Sequence, residues 1–407
     1  MDCRSKELCK IRTITIFTTL TQDKSLWEQT LVKATYFCNS LSQEFIKDGY
    51  EVQSIRLVSN PFGEYLNTTN AQTAITDLRE ITQILDTLQT PLRIRFAIGE
   101  AKNKEQIAML PLLIKHCGDL ANACVNVVLD ENGVLDNEVI LCCAQTVKEI
   151  SECTVRGEGN FNFTVNFNCK PLIPYFPASY YHGHNENERA PFVIGLETPD
   201  LLVEVLKQQN KSSHNVAFND YYSSMSEALQ FHVDGIQACI HRQTIGDEFY
   251  FAGIDSSAAP SKNCSSMTEI YHLMGVPYFG ASGTVEASAL LTRVFKNLKN
   301  VQLVGFSGLM LAVTEDTGLA EGSKEQYDIR SLLTYSAVCG IGLDTVPIPG
   351  DTSVEKIAAL MRDTGTMAFR LNKPLTVRLF PLPNLQVGDK SNFESDDLCN
   401  SFVLSVP

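Results

Sequence analysis

A cysteine and an aspartate flank a glycine turn near the C-terminus of the chain. The run Tyr335-Ser-Ala-Val-Cys-Gly-Ile-Gly-Leu-Asp places Cys339 before a Gly-x-Gly turn and Asp344 after it. Glycines at these positions allow another backbone or a ligand to come close. A thiol beside a carboxylate could act as a nucleophile or a proton donor. The alternative is that Cys339 is a small buried apolar residue and that the glycines only form a tight turn.

His182 is the candidate acid–base group. It lies in the polar sequence from Tyr180 to Glu188, which comes after a stretch rich in Tyr and Pro. An imidazole changes its charge near neutral pH. His182 and His184 could also bind a metal together, although two imidazoles alone are a weak signal. The alternative is a loop histidine that is hydrogen-bonded to backbone.

Acidic residues follow two apolar sequences that are typical of strands. Glu315 and Asp316 follow the apolar residues 309–313, and Asp255 and Ser257 come directly after another such stretch. Acids at the C-terminal ends of parallel strands point into the mouth of a barrel or a crevice, where ligands bind. The alternatives are an ordinary turn at Asp316 and a helix cap formed by Asp255 or a nearby serine.

Two further features could hold an anion. Gly283 and Thr284 open a predicted helix, where free amides, a close approach at the glycine and a hydroxyl favour a carboxylate or phosphate. Arg56, on a predicted strand, could clamp the same anion with two hydrogen bonds. Every helix has such an end, however, and a strand arginine can simply pair with a buried acid.

The composition limits the class of protein. The net charge of −14 argues against a nucleic acid or an anionic membrane as partner. The first ten residues lack the apolar core of a signal peptide, and no apolar run is long enough to span a membrane. An odd number of cysteines, 13, without regular spacing predicts reduced thiols in a cytoplasmic protein. We therefore expect a small-molecule ligand, with a homo-oligomer as an open option.

The elements that must position these residues alternate between strand and helix. This alternation predicts parallel strands joined by helices. It fails between residues 155 and 195, where Phe161–Phe167 alternates like a half-exposed strand and prolines interrupt the residues after it. The predicted strands elsewhere include residues 14–20, 52–58, 92–98, 124–129 and 343–348.

Several sequences, in order along the chain, are similar to the domain-of-unknown-function 711 family. They are Arg12-Thr-Ile-Thr-Ile, Arg56 with Pro61, Tyr181-His-Gly183, Asp255-x-Ser-x-Ala-Pro260, Gly283-Thr284, Ser307 to Asp316, and the Cys339 run extending to Thr376-Val-Arg-Leu-Phe-Pro381. The resemblance covers almost the whole chain. It implies the fold of pyruvate formate-lyase and ribonucleotide reductase, which is an α/β barrel of about ten strands around a catalytic cysteine.

The resemblance therefore predicts one α/β barrel domain over residues 1–407. The irregular loop at 170–190 would lie over the barrel mouth, and the tail after residue 382 would be partly ordered. A glycyl radical is not expected, because no glycine follows Gly388. The bacterial relatives have a glycine-rich tail where this chain has Glu394-Ser-Asp-Asp-Leu-Cys399.

The first functional hypothesis is an enzyme of lyase- or transferase-like chemistry on a small polar or carboxylate-bearing metabolite. Cys339 would be the nucleophile or proton donor and His182 its acid–base partner, while Asp344 or Asp316 would orient the histidine or the substrate. Arg56, Asp255, Ser257, Gly283, Thr284 and Glu315 would bind the substrate. The alternatives are a metal-dependent enzyme with Asp, Glu and His ligands and a non-catalytic regulator that binds a metabolite. The sequence identifies no cofactor and assigns no metal ligand.

Overall fold

The β-branched sequence that comes after Cys9 forms the first strand of a large sheet. A computed structural model describes residues 2–185, 188–212, 216–243 and 246–407. In this part of the chain the strand order is β7-β6-β1-β2-β3-β4-β5-β9-β8. The strands are β1 Lys10–Thr18, β2 Ser54–Ser59, β3 Arg93–Glu100, β4 Asn122–Val127, β5 Phe163–Phe167, β6 Ala190–Glu197, β7 Phe249–Asp255, β8 Gly342–Pro349 and β9 Leu375–Leu382.

The sheet consists of two blocks that run in opposite directions. Strands β1 to β5 are parallel to one another. Strand β6 is antiparallel to β1, and β9 is antiparallel to β5. On the other side, β7 is parallel to β6 and β8 is parallel to β9. The two edge strands, β7 and β8, therefore point in the same direction.

Residues 302–313, here called the closing segment, join the two edges of the sheet. Leu303 forms a parallel bridge with Ile254 of β7, and Ala312 forms a parallel bridge with Asp344 of β8. The Val313 amide donates to the Asp344 carbonyl at 3.1 Å. The sheet thus closes into a barrel, which confirms the predicted α/β barrel of about ten strands. Within the described part of the chain, the predicted strand at 309–313 makes this one bridge.

Amphipathic helices cover the outside of the barrel and join the parallel strands. The outward-facing side chains of the strands are therefore buried as well as the inward-facing ones, and all five residues of β5 are buried. The prediction of a half-exposed strand there was wrong. The helices are α1 Trp27–Lys47, α2 Ala71–Thr87, α3 Lys104–Cys117, α4 Asn137–Cys153, α5 Pro199–Ser212, α6 Phe218–His241, α7 Met267–Leu273, α8 Thr284–Lys296, α9 Thr317–Gly322, α10 Ile329–Tyr335 and α11 Val354–Arg370.

The irregular segment between β5 and β6 contacts the interior of the barrel. The Pro174 carbonyl accepts hydrogen bonds from Thr15 of β1 and Arg56 of β2, both at 3.1 Å. The Tyr175 hydroxyl donates to the Leu196 carbonyl at 2.9 Å. Tyr175 and Phe176 are buried. Two residues of the predicted 170–190 loop, Glu186 and Asn187, lie outside the described residues.

The tail after Leu382 packs against the barrel. Phe393, Leu398 and Val403 are buried together with Phe380 of β9. The Cys399 amide donates to the carbonyl of Thr314, the residue directly after the closing segment. The tail is thereby positioned by apolar packing and by backbone hydrogen bonds.

Candidate functional site

A cavity inside the barrel brings together charged side chains from several distant parts of the chain. Its volume of about 40 Å³ has room for about three water molecules, which is comparable to one carboxylate group. The charged residues in its lining are Arg12, Arg56, Glu315, Asp344 and Arg378, and the remaining ones are Thr164, Tyr175, Phe176, Pro177, Ala178, Ala259, Pro260, Phe306, Met310, Ala312, Ile341 and Thr376.

Arg56 is a buried cation in this cavity that lacks a close carboxylate among the residues that the structure describes. Only 6% of the residue is exposed. Its Nη1 donates to the Pro174 carbonyl, while its Nε has no hydrogen-bond partner among the described residues. Within the same residues no carboxylate oxygen lies within 4.0 Å of the guanidinium. Burial, together with Arg95 and Arg12, lowers the pKa of Arg56 to about 9.

The rings of the irregular segment surround this guanidinium. The Phe176 ring centroid lies 5.1 Å from the guanidinium carbon of Arg56, and the Tyr175 centroid lies 6.0 Å away. Aromatic faces attract a cation but do not neutralise its charge. Arg56 can therefore still attract an anionic group that enters the cavity and donate hydrogen bonds to it.

Arg378, in contrast, is fully paired. Its Nε donates to Asp344 Oδ1 at 2.7 Å, its Nη2 donates to Glu315 Oε1, and its Nη1 donates to the Phe161 carbonyl. Burial alone would lower the pKa of Arg378, but the two carboxylates outweigh it and raise that pKa. Burial raises the pKa of Glu315, and Asp344 adds to the rise, although Arg378 opposes it.

Arg12 is also paired. Its Nη1 lies 3.1 Å from Glu197 Oε2 and 3.0 Å from Gln53 Oε1. The cavity thus contains paired cations at Arg12 and Arg378 and an uncompensated cation at Arg56. Of the ten site residues predicted from the sequence, the structure places three, Arg56, Glu315 and Asp344, in the lining of this cavity.

Cys339 does not line the cavity. It is 1% exposed, and it belongs to the main apolar core. Its carbonyl accepts a hydrogen bond from Lys373 Nζ. The adjacent Gly340 lies against Gly308 of the closing segment, where a Cβ on Gly340 would come within 2.8 Å of the Gly308 Cα. At Gly340, the glycine turn thus accommodates another backbone.

His182 is exposed and does not line the cavity. Its ring packs edge-on against Tyr180, with 5.5 Å between the ring centroids. The neighbouring His184 lies 3.0 Å from Thr19 Oγ1 through its Nδ1. Burial lowers the pKa of His184.

Asp255 and Asp316 each bind backbone amides. Asp255 accepts from the amides of Phe306 at 2.7 Å and Ser307 at 3.0 Å and from the hydroxyl of Ser257 at 2.6 Å. Asp316 caps helix α9, and it also accepts from the amide of Met267 at 2.6 Å. Burial raises the pKa of Asp316, against the effect of these hydrogen bonds. Both carboxylates fix the loops at the barrel end.

Gly283 and Thr284 also form a local cap away from the cavity lining. Gly283 has a left-handed backbone (φ 101°) before helix α8. The Thr284 hydroxyl is buried, accepts from the Gly280 amide and donates to the Ala281 carbonyl at 2.7 Å. Its hydrogen-bonding capacity is therefore used within the turn.

The sequence reasoning missed Arg12, Arg378 and Tyr175. Both arginines lie in sequences that carry the family resemblance, Arg12-Thr-Ile-Thr-Ile and Thr376-Val-Arg-Leu-Phe-Pro381. The alternation of Thr376, Arg378 and Phe380 places these residues on one face of β9. An arginine between apolar neighbours on a predicted strand was therefore the sequence signal that could have identified Arg378 as a residue of the barrel interior.

The fold and the cavity define an α/β barrel protein with an arginine-rich polar interior. The chain belongs to the family described as Uncharacterised ACR (DUF711), whose model matches residues 4–395. It is 28% identical over 271 residues to a UPF0210 protein of Methanopyrus kandleri, covering 65% of this chain and 58% of that protein. A UPF0210 protein of Pyrobaculum aerophilum is 38% identical over 243 residues, covering 56% and 50%. The chain therefore spans little more than half the length of these relatives.

Among solved structures, the anaerobic ribonucleotide reductase from Thermotoga maritima, with citrate in the active site, is similar at a TM-score of 0.43 and 9% identity. The match covers 90% of this chain and 80% of that one. A similarity of this size supports no conclusion about function. Among the described residues, no helix is long and apolar enough to cross a membrane, and no group of three or more His, Cys, Asp or Glu could hold a metal ion.

Proposed function

We propose that this protein is an enzyme that binds a small carboxylate-bearing metabolite in the barrel cavity. The observation that carries the proposal is Arg56, a buried guanidinium at the cavity that has no carboxylate within 4.0 Å among the described residues. Removing a cation from water costs free energy unless a counter-charge replaces the lost hydration. An entering carboxylate would supply that charge.

The chemistry of Arg56 fits a carboxylate in particular. A guanidinium presents its N–H groups in a planar arrangement that matches the two oxygens of a carboxylate. The Nε of Arg56 has no partner among the described residues, and Nη1 donates only to the Pro174 carbonyl. The small volume of the cavity favours a short ligand.

Glu315 is the acid–base group of this proposal. It shares Arg378 with Asp344, and burial raises its pKa. Because its pKa is raised, Glu315 can exchange a proton at a higher pH than an ordinary carboxylate can. Glu315 would therefore transfer a proton to or from the ligand that Arg56 holds.

The thiol chemistry of Cys339 and the acid–base role of His182 stay predictions. Cys339 is buried in the apolar core and His182 is exposed, and neither lines the cavity with Arg56. We therefore assign the acid–base step to Glu315 and leave the reaction class open between lyase- and transferase-like chemistry.

The test is a thermal-shift and calorimetric screen of short carboxylates against their amides, with and without a chelator. Wild type should bind a carboxylate and reject its amide, Arg56→Met should lose binding, and Arg79→Met, an exposed arginine on α2, should bind normally. Failure of every short carboxylate to bind would contradict the proposal. Loss of binding with chelator would favour the metal-dependent alternative.

The bound ligand is then incubated in D₂O, and nuclear magnetic resonance follows exchange of its hydrogens. Glu315→Gln should slow exchange by about a hundredfold or more, which is typical of losing a general acid–base. Binding without exchange or turnover would favour the non-catalytic regulator.

A further inference from the structure

A second buried arginine lies beside Arg56. The parallel register of β2 and β3 pairs Arg56 with Arg95, so their side chains leave the sheet on the same face. Both are buried. The two arginines differ in their partners, because Arg95 contacts two carboxylates.

Asp397 of the tail provides the closer of these carboxylates. Its Oδ2 accepts hydrogen bonds from Arg95 Nη2 and from Arg93 Nη1, the latter at 3.1 Å. Asp119 is the other carboxylate. Its Oδ2 accepts a hydrogen bond from Arg93 Nη2 and lies 3.9 Å from Arg95 Nη2. Two cations and two anions therefore form a neutral group next to Arg56.

We propose that Asp397 determines the charge of the ligand: by neutralising Arg95 it leaves Arg56 as the uncompensated cation, which restricts the cavity to monocarboxylates. The inference rests on the proposed function and names its substrate class. A second carboxylate on the ligand would find Arg12 and Arg378 already paired and would be repelled by Glu315 and Asp344.

The position of Asp397 is fixed by more than its charge. Leu398 is buried in the tail cluster, the Cys399 amide donates to Thr314, and the Asp397 amide donates to Ser395 Oγ at 3.2 Å. Asparagine at this position keeps the shape and a hydrogen-bond acceptor but removes the negative charge. Asp397→Asn therefore changes the charge beside Arg56 and retains these tail contacts.

The adjacent Asp396 provides a matched control. Its side chain is fully exposed and lies 3.7 Å from Lys262. Asp396→Asn makes the same chemical change one residue away, outside the arginine group. Calorimetry on wild type and both variants would compare glycolate with oxalate and lactate with malonate, pairs in which the second member carries one more carboxylate.

Wild type should bind the monocarboxylate of a pair more tightly. Asp397→Asn should strengthen dicarboxylate binding by about tenfold and change monocarboxylate binding by no more than about threefold, because the uncovered charge of Arg95 acts on the additional carboxylate. Asp396→Asn should match wild type. Asp119→Asn should shift selectivity in the same direction by a smaller factor, since Asp119 is farther from Arg95.

Equal strengthening of both ligand classes in Asp397→Asn would overturn the inference, because the tail would then act as a steric cover. Unchanged selectivity in both Asp397→Asn and Asp119→Asn, with wild-type unfolding curves, would also overturn it. These results differ from failure of the proposed function, in which wild type binds neither ligand class. If Asp397→Asn unfolds, Asp119→Asn alone decides the outcome.

Discussion

Arg378 Nε lies 2.7 Å from Asp344 Oδ1, across the parallel strands β9 and β8. The same guanidinium donates to Glu315 at the other end, so one cation holds the buried carboxylate of Asp344 and the partly buried carboxylate of Glu315. Arg56 lines the same cavity without such a partner among the described residues. The contrast separates an arginine that holds the barrel together from one that is available to a ligand.

Replacing Arg378 by methionine should be strongly destabilising. The substitution leaves the buried Asp344 and the partly buried Glu315 without their cation, and breaking such a group costs about 3–5 kcal/mol of unfolding free energy. Urea denaturation would measure the loss. Arg370→Met, at an exposed position of helix α11, is the control and should stay within about 0.5 kcal/mol of wild type. A loss below about 1 kcal/mol for Arg378→Met would show that the carboxylates find other partners.

Arg56→Met should leave stability nearly unchanged or increase it. Among the described residues the buried guanidinium has no close counter-ion to lose, and methionine fills a similar apolar volume. The Pro174 carbonyl keeps its hydrogen bond from Thr15 Oγ1. We expect an unfolding free energy within about 1 kcal/mol of wild type, or higher, in the same urea experiment. A loss of about 3 kcal/mol would mean that Arg56 has a structural role.

The contribution of Asp397 to stability should depend on pH. Burial alone would raise the pKa of Asp397, but Arg95 and Arg93 outweigh it and hold that pKa below its usual value. A carboxylate with a lowered folded-state pKa stabilises the fold above its unfolded pKa of about 3.9 and loses this effect as the pH falls through the folded-state value. Wild type should exceed Asp397→Asn in stability at pH 7, and the difference should shrink in acid. A constant difference between pH 7 and pH 3 would contradict this assignment.

Gly340→Ala should destabilise the turn that comes after Cys339. The added Cβ would come within 2.8 Å of the Gly308 Cα and 2.9 Å of its carbonyl carbon, and both atoms belong to backbone. Overpacking of this kind costs about 1–3 kcal/mol. Gly246→Ala is the control, because a Cβ there meets no atom within 4 Å among the described residues. Thermal unfolding of both variants would test the difference, and equal melting temperatures would contradict it.

Cys339 should resist modification in the folded protein. Its residue is 1% exposed, and a thiolate nucleophile must reach the reagent before it can react. Limited iodoacetamide at neutral pH, with peptide mapping of the products, should label partly buried cysteines such as Cys142 and Cys153 first. Preferential labelling of Cys339, with protection by a bound ligand, would instead support the thiol mechanism.

The alternation of strands and helices was predictable because parallel strands need helical connections. The strand predicted at 343–348 lies within β8, Gly342–Pro349. The predicted strand at 309–313 makes one bridge, since this sequence belongs to the closing segment. Its apolar residues satisfy the pattern of a strand, but their pairing depends on where the two sheet edges meet.

The candidate site was less predictable than the fold. Arg56, Glu315 and Asp344 could be selected by residue type, but sequence could not show that Arg378 already holds both acids. The same limit applies to Asp316, where the residue type suggests a site and the structure shows a helix cap. Which charged side chains pair depends on the strand register and on how the sheet closes into a barrel. Neither can be deduced from a short stretch of sequence.

The closing segment also affects how fast a ligand could enter. It contributes Phe306, Met310 and Ala312 to the cavity wall, yet it joins the edge strands through isolated bridges instead of a continuous ladder. Segments with few backbone hydrogen bonds open at lower free-energy cost than regular strands. The wall of the cavity therefore includes a segment that is held by few backbone hydrogen bonds. If the ligand enters when this segment opens locally, its association would be slower than the diffusion limit. The rate of opening would then determine the association rate.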